Sequence, residues 1–573
     1  MRIRDIIPVA LERKEADVLI KNAKIVNVFS GKIEEGNIAL FRKRIAGIGD
    51  YTKGKKVIDA KRLYVVPGLI DAHLHIESSM LSPRQFARAI LLRGTTTIIA
   101  DPHEITNVLG LEGLEYMIKA TEGIPLNVYI AIPSAVPATN LETSGARLGA
   151  EDMVSIVEKY PTRVIALGEV MNFPGVLNLD RELITKIEIL RHKYKKIDGH
   201  SPGLSGKELN AYIDAFIRSD HECTTKEEAF EKMSRGMQVF IREGTSAKDL
   251  DSLIGAVDVM NHHFFSFCTD DRDSLDILEE GHIDHLIRKS ISKGVDPIIA
   301  IRMATINTAR YFNLRSMGAI SPGYKADMVF VEDLEKFNIK MVIKDSRVVV
   351  QDGEIVGDFK GVYNDLPERV GRINLPKVNV EDIEVKPESN KMRVIKLIKR
   401  SLITEELIVE PKVVNGKVIS DPQNDVLKVV VLDRHTGRNF SVGFIKGFGI
   451  KSGAVATSIG HDSHNVSVVG IRDEDMLFAV KEIERMNGGI VVVEDGSVLA
   501  RLPLPVAGLM SNEDLYTVSY QLKKVDSALR KLGSDKEMLM TFFFIQLAVI
   551  PKLKLTDRGL VDVSKQRFVS LFL

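Results

Sequence analysis

The chain has 573 residues, 45% of them hydrophobic and 27% charged, an ordinary globular composition on a chain too long for one compact core. Lys+Arg and Asp+Glu balance at 78 each, so no basic field exists to hold nucleic acid or an anionic membrane. Two cysteines, Cys223 and Cys268, exclude a disulfide framework. The opening stretch MRIRDIIPVALERKEADVLI has acidic residues and no long apolar run, and the longest uncharged apolar stretch, Met538 to Pro551, is too short for a bilayer. A reduced, cytoplasmic protein is expected.

In chain order, the first sixty residues read as short strands, with ADVLIKNAKIVNVFSGKI and GNIALFRKRIAGIGD alternating apolar and polar positions and breaking at Gly, Asn and Asp. From LYVVPGLIDAH onward, short β-rich runs alternate with helix-length segments such as SPRQFARAILLRG and TKEEAFEKMSRG, which start at Ser or Thr and end at Gly. Eight such units predict a (β/α)8 barrel over 67–317. After Met317 the strand-and-turn style returns, so 1–66 and 318–363 are expected to pair into one small β-sandwich domain. Residues 364–390, polar with three prolines, read as a linker, and 391–573 as a C-terminal α+β domain with two long helices.

In a barrel, chemistry gathers where the parallel strands end. His73 and His75 end the first run, His103 and Glu104 follow the second, and Glu169 ends the fourth. His200, His221 with Glu222, Arg242 with Glu243, and Asp270 with Asp271 end the last four. Five of the thirteen histidines fall at these few positions, a concentration that scatter does not explain. Imidazole with carboxylate suits borderline divalent metals such as zinc, manganese and iron(II). Four histidines and two carboxylates can hold two ions, with Glu169 able to bridge, and an Asp on the last strand can both touch a metal and accept a proton from water.

PGLIDAHLHIESSM, ADPHEITNVLG, GEVMNFPGV, DGHSPGLSG, SDHECTT and FCTDDR together resemble the adenine deaminase branch of the amidohydrolase superfamily, and the likeness extends to the C-terminal TSIGHDSHNVSVVG. The resemblance implies His73, His75 and Asp270 on one metal, His200 and His221 on the other, and Glu169 in the bridging place that many superfamily members give to a carboxylated lysine. It implies two divalent ions per chain, Mn2+ or Fe2+, and hydrolysis of adenine to hypoxanthine and ammonia in purine salvage. Asp270 then serves as base and Glu104 as proton shuttle. His103 is the alternative shuttle, or with Asp271 a contact for the purine ring. Adenine and water are the expected partners, with no nucleic acid and no membrane, in a homo-oligomer. A cyclic amidase or deacetylase of the same superfamily, or a non-catalytic barrel scaffold, are the competing readings. His461, Asp462 and His464 are open between a further metal site, a reach into the barrel mouth and a plain polar loop. His282 and His285, three apart in GHIDHLIRKS, read as surface residues, as do His262 and His263.

Overall fold

The computed structural model describes residues 2–357 and 370–573. One nine-stranded sheet takes strands from both flanks of the central region. Tyr64–Pro67 pairs parallel to Ala16–Asn27 on one side and antiparallel to Met328–Val331 on the other, with Val66 opposite Val329. The apolar sides of these strands meet: Ile20, Ile25 and Val65 pack with Met328, Phe330 and Ile343. Burying the alternate residues of both flanks together is what ties the intervening residues 68–327 into a loop-out from a single sheet. Residues 358–363, expected in this domain, and 364–369 of the expected linker lie outside the described residues. From Val370 on, that segment lies along the C-terminal sheet, where Ile373 and Ile383 are buried beside Val430 and Val468.

Between the flanks run eight short parallel strands: β1 (Leu69–Leu74), β2 (Thr95–Ala100), β3 (Asn127–Ile132), β4 (Val164–Val170), β5 (Lys196–Gly199), β6 (Ser219–Asp220), β7 (Gln238–Arg242) and β8 (Phe265–Cys268). β1 to β5 form a five-stranded sheet in chain order, and β6 to β8 a three-stranded one. β1, β2, β7 and β8 are buried along their whole length, as parallel strands covered on both faces must be. Helices return between them, and some are started by a side chain that satisfies a free backbone N–H. Asp180 accepts from Leu183 ahead of Arg181–His192, and Thr225 from Glu228 ahead of Lys226–Ser234. The ends of β1 and β8 meet: the Asp270 N–H donates to the His73 carbonyl (3.1 Å), and the His75 N–H to that of Asp270 (3.3 Å).

The C-terminal part is an eight-stranded, mostly antiparallel sheet flanked by helices Asp473–Met486 and Leu515–Leu532. The apolar stretch near its end is buried within this chain, with Phe542, Ile545 and Ala548 fully covered. Among the described residues no helix is long and apolar enough to cross a membrane. One expectation fails. His282 is fully buried, not surface-facing: it precedes the helix Ile283–Ser292 rather than lying on it, and its ring reaches Thr95 on β2 (2.9 Å) and Asp71 on β1 (3.3 Å).

Candidate metal centre

His73 and His75 stand two residues apart where β1 ends, so strand alternation sends both rings to one side. Their Nε2 atoms are 3.2 Å apart, and Asp270 Oδ1 lies 3.6 and 3.2 Å from them. What stands behind the rings decides what they present. The Nδ1 of His75 meets the Asp101 carbonyl at 2.8 Å, and a carbonyl can only accept, so the proton is on Nδ1 and Nε2 keeps its lone pair. His73 Nδ1 likewise donates to the Asp198 carboxylate at 2.9 Å. Two lone pairs and a carboxylate oxygen thus converge on one point, a set that repels itself unless positive charge sits among them. Burial lowers His75, but Asp270, Asp271 and Glu169 outweigh it and raise it, the same negative surroundings that would favour a cation at this point. The donor set fits a borderline divalent metal.

Glu169, at the end of β4, faces two ways. Its Oε1 lies 3.4 Å from His75 and 3.5 Å from His103, while its Oε2 lies 2.6 Å from His200 Nδ1 and 3.2 Å from His221 Nε2. The His221 ring stacks on His73 with centroids 4.2 Å apart. Clusters that could hold a cation therefore recur around the same point, among them His73, His221 and Asp270, and His73, His75 and Glu169. The loops carrying His200 and His221 are tied together from below. Lys232, fully buried, donates to the Ser201 carbonyl (2.6 Å), Asp220 (3.0 Å) and Glu228 (2.8 Å).

Asp270 holds a left-handed backbone, φ 53°, uncommon for a residue with a side chain. Its second oxygen accepts from Arg242 Nη1 at 3.2 Å, and the same guanidinium grips Glu222 and Asp249. Asp271 accepts a 2.5 Å hydrogen bond from the Ser78 hydroxyl, and burial followed by the Asp270 charge pushes its carboxyl upward.

The C-terminal part completes this side of the site. His461 Nδ1 and His464 Nε2 each lie 3.2 Å from an oxygen of Glu104, and Asp462 faces His103 at 3.9 Å. The Gly460 N–H donates to His464 Nδ1, which leaves the ring proton on Nε2, aimed at Glu104. His461 is held flat against Phe544, centroids 4.2 Å apart. Burial alone raises Glu104, yet the His461 and His464 rings outweigh it and keep that carboxyl well below its ordinary range. His461, Asp462 and His464 lie toward the parallel-strand ends, and His103 with His461 and Asp462, and Glu104 with His461 and His464, are also groups that could hold a cation.

Two adjoining cavities, of about 30 and 40 Å³, share Ser246, Asp271, His461 and Phe544. The larger is lined by His75, Glu169, His200 and Asp270, the smaller by Glu77, Ser78, Glu104 and Asp271. Glu77 has no role in the sequence reading. It is buried, one oxygen accepts from the Ile105 N–H (3.1 Å), the other has no partner, and burial with the Glu104 charge raises it to about 7. Asp101, Asp198 and Arg242 were also unassigned. Their signal was modest: each is a charged residue within a turn of a strand end.

A model of the amidohydrolase family matches residues 64–355, and a model of the adenine deaminase C-terminal domain matches 401–567. The adenine deaminase of Thermosipho africanus is 64% identical over 573 residues, covering all of both chains, and that of Kosmotoga olearia 57% identical over all of this chain and 99% of that protein. Among solved structures, a β-aspartyl dipeptidase from Fervidobacterium islandicum AW-1 aligns with 59% of this chain and 98% of its own at 20% identity and a TM-score of 0.47.

Proposed function

The chain belongs to the adenine deaminase family of amidohydrolases, hydrolases that act on adenine, and from that premise we propose how its own residues divide the work. The reaction replaces the 6-amino group by oxygen, consuming water and releasing hypoxanthine and ammonia. His73, His75 and Asp270 would hold one divalent ion, His200 and His221 a second, and Glu169 would serve both through its two oxygens. Manganese or iron(II) in that pair would bring the acidity of water close to neutral pH. Asp270, aimed by Arg242, accepts the proton of the attacking water. Glu104, kept ionised by the two C-terminal histidines, takes up that proton and delivers it to the purine ring nitrogen, with His103 as the alternative carrier. Asp271, braced by Ser78, meets a ring N–H in the smaller cavity.

The wider architecture follows the same reading. Residues 67–317 close into a (β/α)8 barrel, 1–66 and 318–363 form the composite β-sandwich, and 391–573 a C-terminal α+β domain that covers the barrel mouth. The protein works in cytoplasmic purine salvage as a homo-oligomer. The observation that carries the function is the convergence of two histidine lone pairs and the two carboxylates Glu169 and Asp270 on one buried point at the wall of a cavity. The test is incubation of manganese-loaded protein with adenine, followed by ammonia release and the ultraviolet change to hypoxanthine. Turnover that disappears in Asp270→Asn supports the reading. Inert adenine together with hydrolysis of a cyclic amide would replace it with the amidase.

A further inference from the structure

At the opposite end of the parallel strands from the histidines lies a groove with one sign of charge. Lys196 opens β5, the strand whose far end leads to His200. With Lys195, Arg310 and Arg315 it lines a cavity of about 690 Å³, far roomier than the two at the histidine centre. No aspartate or glutamate lines it. Phe29 and Tyr324, from the flanking segments, form its other wall, their rings edge to face with centroids 5.8 Å apart. The walls are bonded to each other. Arg302 donates to the Val28 carbonyl (2.7 Å) and the Phe29 carbonyl (3.2 Å), and the Lys325 N–H to the Ser316 carbonyl (2.9 Å). Among the described residues none of the four cations has a carboxylate partner. Lys195 meets the Pro161 carbonyl (2.9 Å), while Lys196 lies 4.7 Å from the Tyr311 ring centre and Arg310 5.9 Å from that of Phe29. Burial pushes both lysines down, and at Lys196 the nearby Arg218 adds to it.

A cleft lined by one sign of charge focuses its field and gathers the opposite ion. Guanidinium groups pair with phosphate oxygens through two parallel N–H donors, which an isolated carboxylate or chloride does not repay as well. A terminal phosphate brings about 1.5–2 negative charges, so four cations call for more than one phosphate group. The exposed ring of Phe29 beside the basic wall offers an aromatic surface to a flat base. The volume also falls inside the range of about 300–1,000 Å³ typical of small-molecule sites. We propose that this groove is a second ligand site, which takes a nucleotide carrying a di- or triphosphate. Lys195, Lys196, Arg310 and Arg315 hold the phosphates, and Phe29 with Tyr324 receives the base. The bonds between the walls place these groups before a ligand arrives.

The test is equilibrium dialysis of the manganese-loaded full chain against ATP up to about 1 mM, the range of a weak ligand, with inorganic tripolyphosphate in a parallel arm. One ATP per chain is expected, bound more tightly than tripolyphosphate, with the manganese retained. Arg310→Glu and Arg315→Glu should each weaken both ligands at least tenfold. Phe29→Ala should weaken ATP and leave tripolyphosphate unchanged. All three side chains are exposed, so the fold does not depend on them. The assay reads bound nucleotide rather than turnover, so its outcome stands apart from that of the deaminase assay. No uptake by the parent in this range overturns the proposal. Uptake unchanged in both arginine variants overturns it too, because the nucleotide then sits elsewhere, as does uptake that occurs only with loss of manganese. Equal binding of tripolyphosphate and ATP would overturn the nucleotide assignment.

Discussion

His464→Phe separates the contribution of the C-terminal part from that of the strand-end ligands. The ring keeps its shape but loses the Nε2–H aimed at Glu104 from 3.2 Å. The contact falls short of hydrogen-bond geometry, so its loss costs about 0.5–1.5 kcal/mol rather than the full value of a bond to a charged group. If Glu104 works as an ionised proton carrier, that loss falls on the transition state, and kcat/KM drops by about 2- to 12-fold. A second effect has a definite sign. Burial raises Glu104 and the two rings lower it, so removing one ring moves its titration upward. The acid limb of the kcat/KM profile should therefore shift to higher pH. The assay is ammonia release from adenine across the pH range, with metal content measured on the same samples. Activity within twofold of the parent, or a loss matched by lost metal, would refute the shuttle role.

Asp198→Asn removes the carboxylate behind His73 Nδ1 and should weaken metal binding about 10- to 100-fold, read as metal retained after dialysis against a graded chelator. Retention equal to the parent would mean that the tautomer of His73 is set elsewhere. Arg242→Met frees the second oxygen of Asp270 and leaves Glu222 and Asp249 unpaired, so both kcat and stability should fall; an intact kcat would remove Arg242 from the positioning of Asp270. Lys554, fully buried against the Leu402 and Phe544 carbonyls, is pushed down to about 7 by burial. The unfolded chain holds this proton up to about pH 10.4 and the folded one releases it near 7, so stability rises between those values, by at most about 5 kcal/mol. Chemical denaturation at pH 7 and pH 10 should show this rise in the parent and lose it in Lys554→Met.

Much of the histidine centre was legible because it rests on short-range rules. His73 and His75 share a face by strand alternation, Glu169 and Asp270 follow the apolar runs VIALG and FFSFC, and His200 and His221 end the short runs KKIDG and AFIRSD that recur at the same spacing. The partners behind them were harder to see. Asp101 and Asp198 sit beside ligands in the chain, yet which imidazole each orients depends on how β1, β2 and β5 lie together. The grip on Glu104 was hidden for a different reason: His461 and His464 lie some 360 residues downstream, and no periodicity encodes where a distant loop docks. His282 was misread because a spacing of three was taken as one helix face, when the residue stands just ahead of the helix. The run from Met538 to Pro551 was legible as apolar, but only packing shows that Phe543, Phe544 and Leu547 wall the two cavities.

The central claim is that the strand-end histidines and carboxylates hold a metal pair on which adenine hydrolysis depends. Metal-free protein titrated with Mn2+ while adenine deamination is followed tests it most directly. Activity should climb until two equivalents per chain are bound and then level off, and Glu169→Gln, which weakens the oxygen facing both halves, should fail to reach that plateau. Full activity at a single equivalent, or without any metal, would contradict the account.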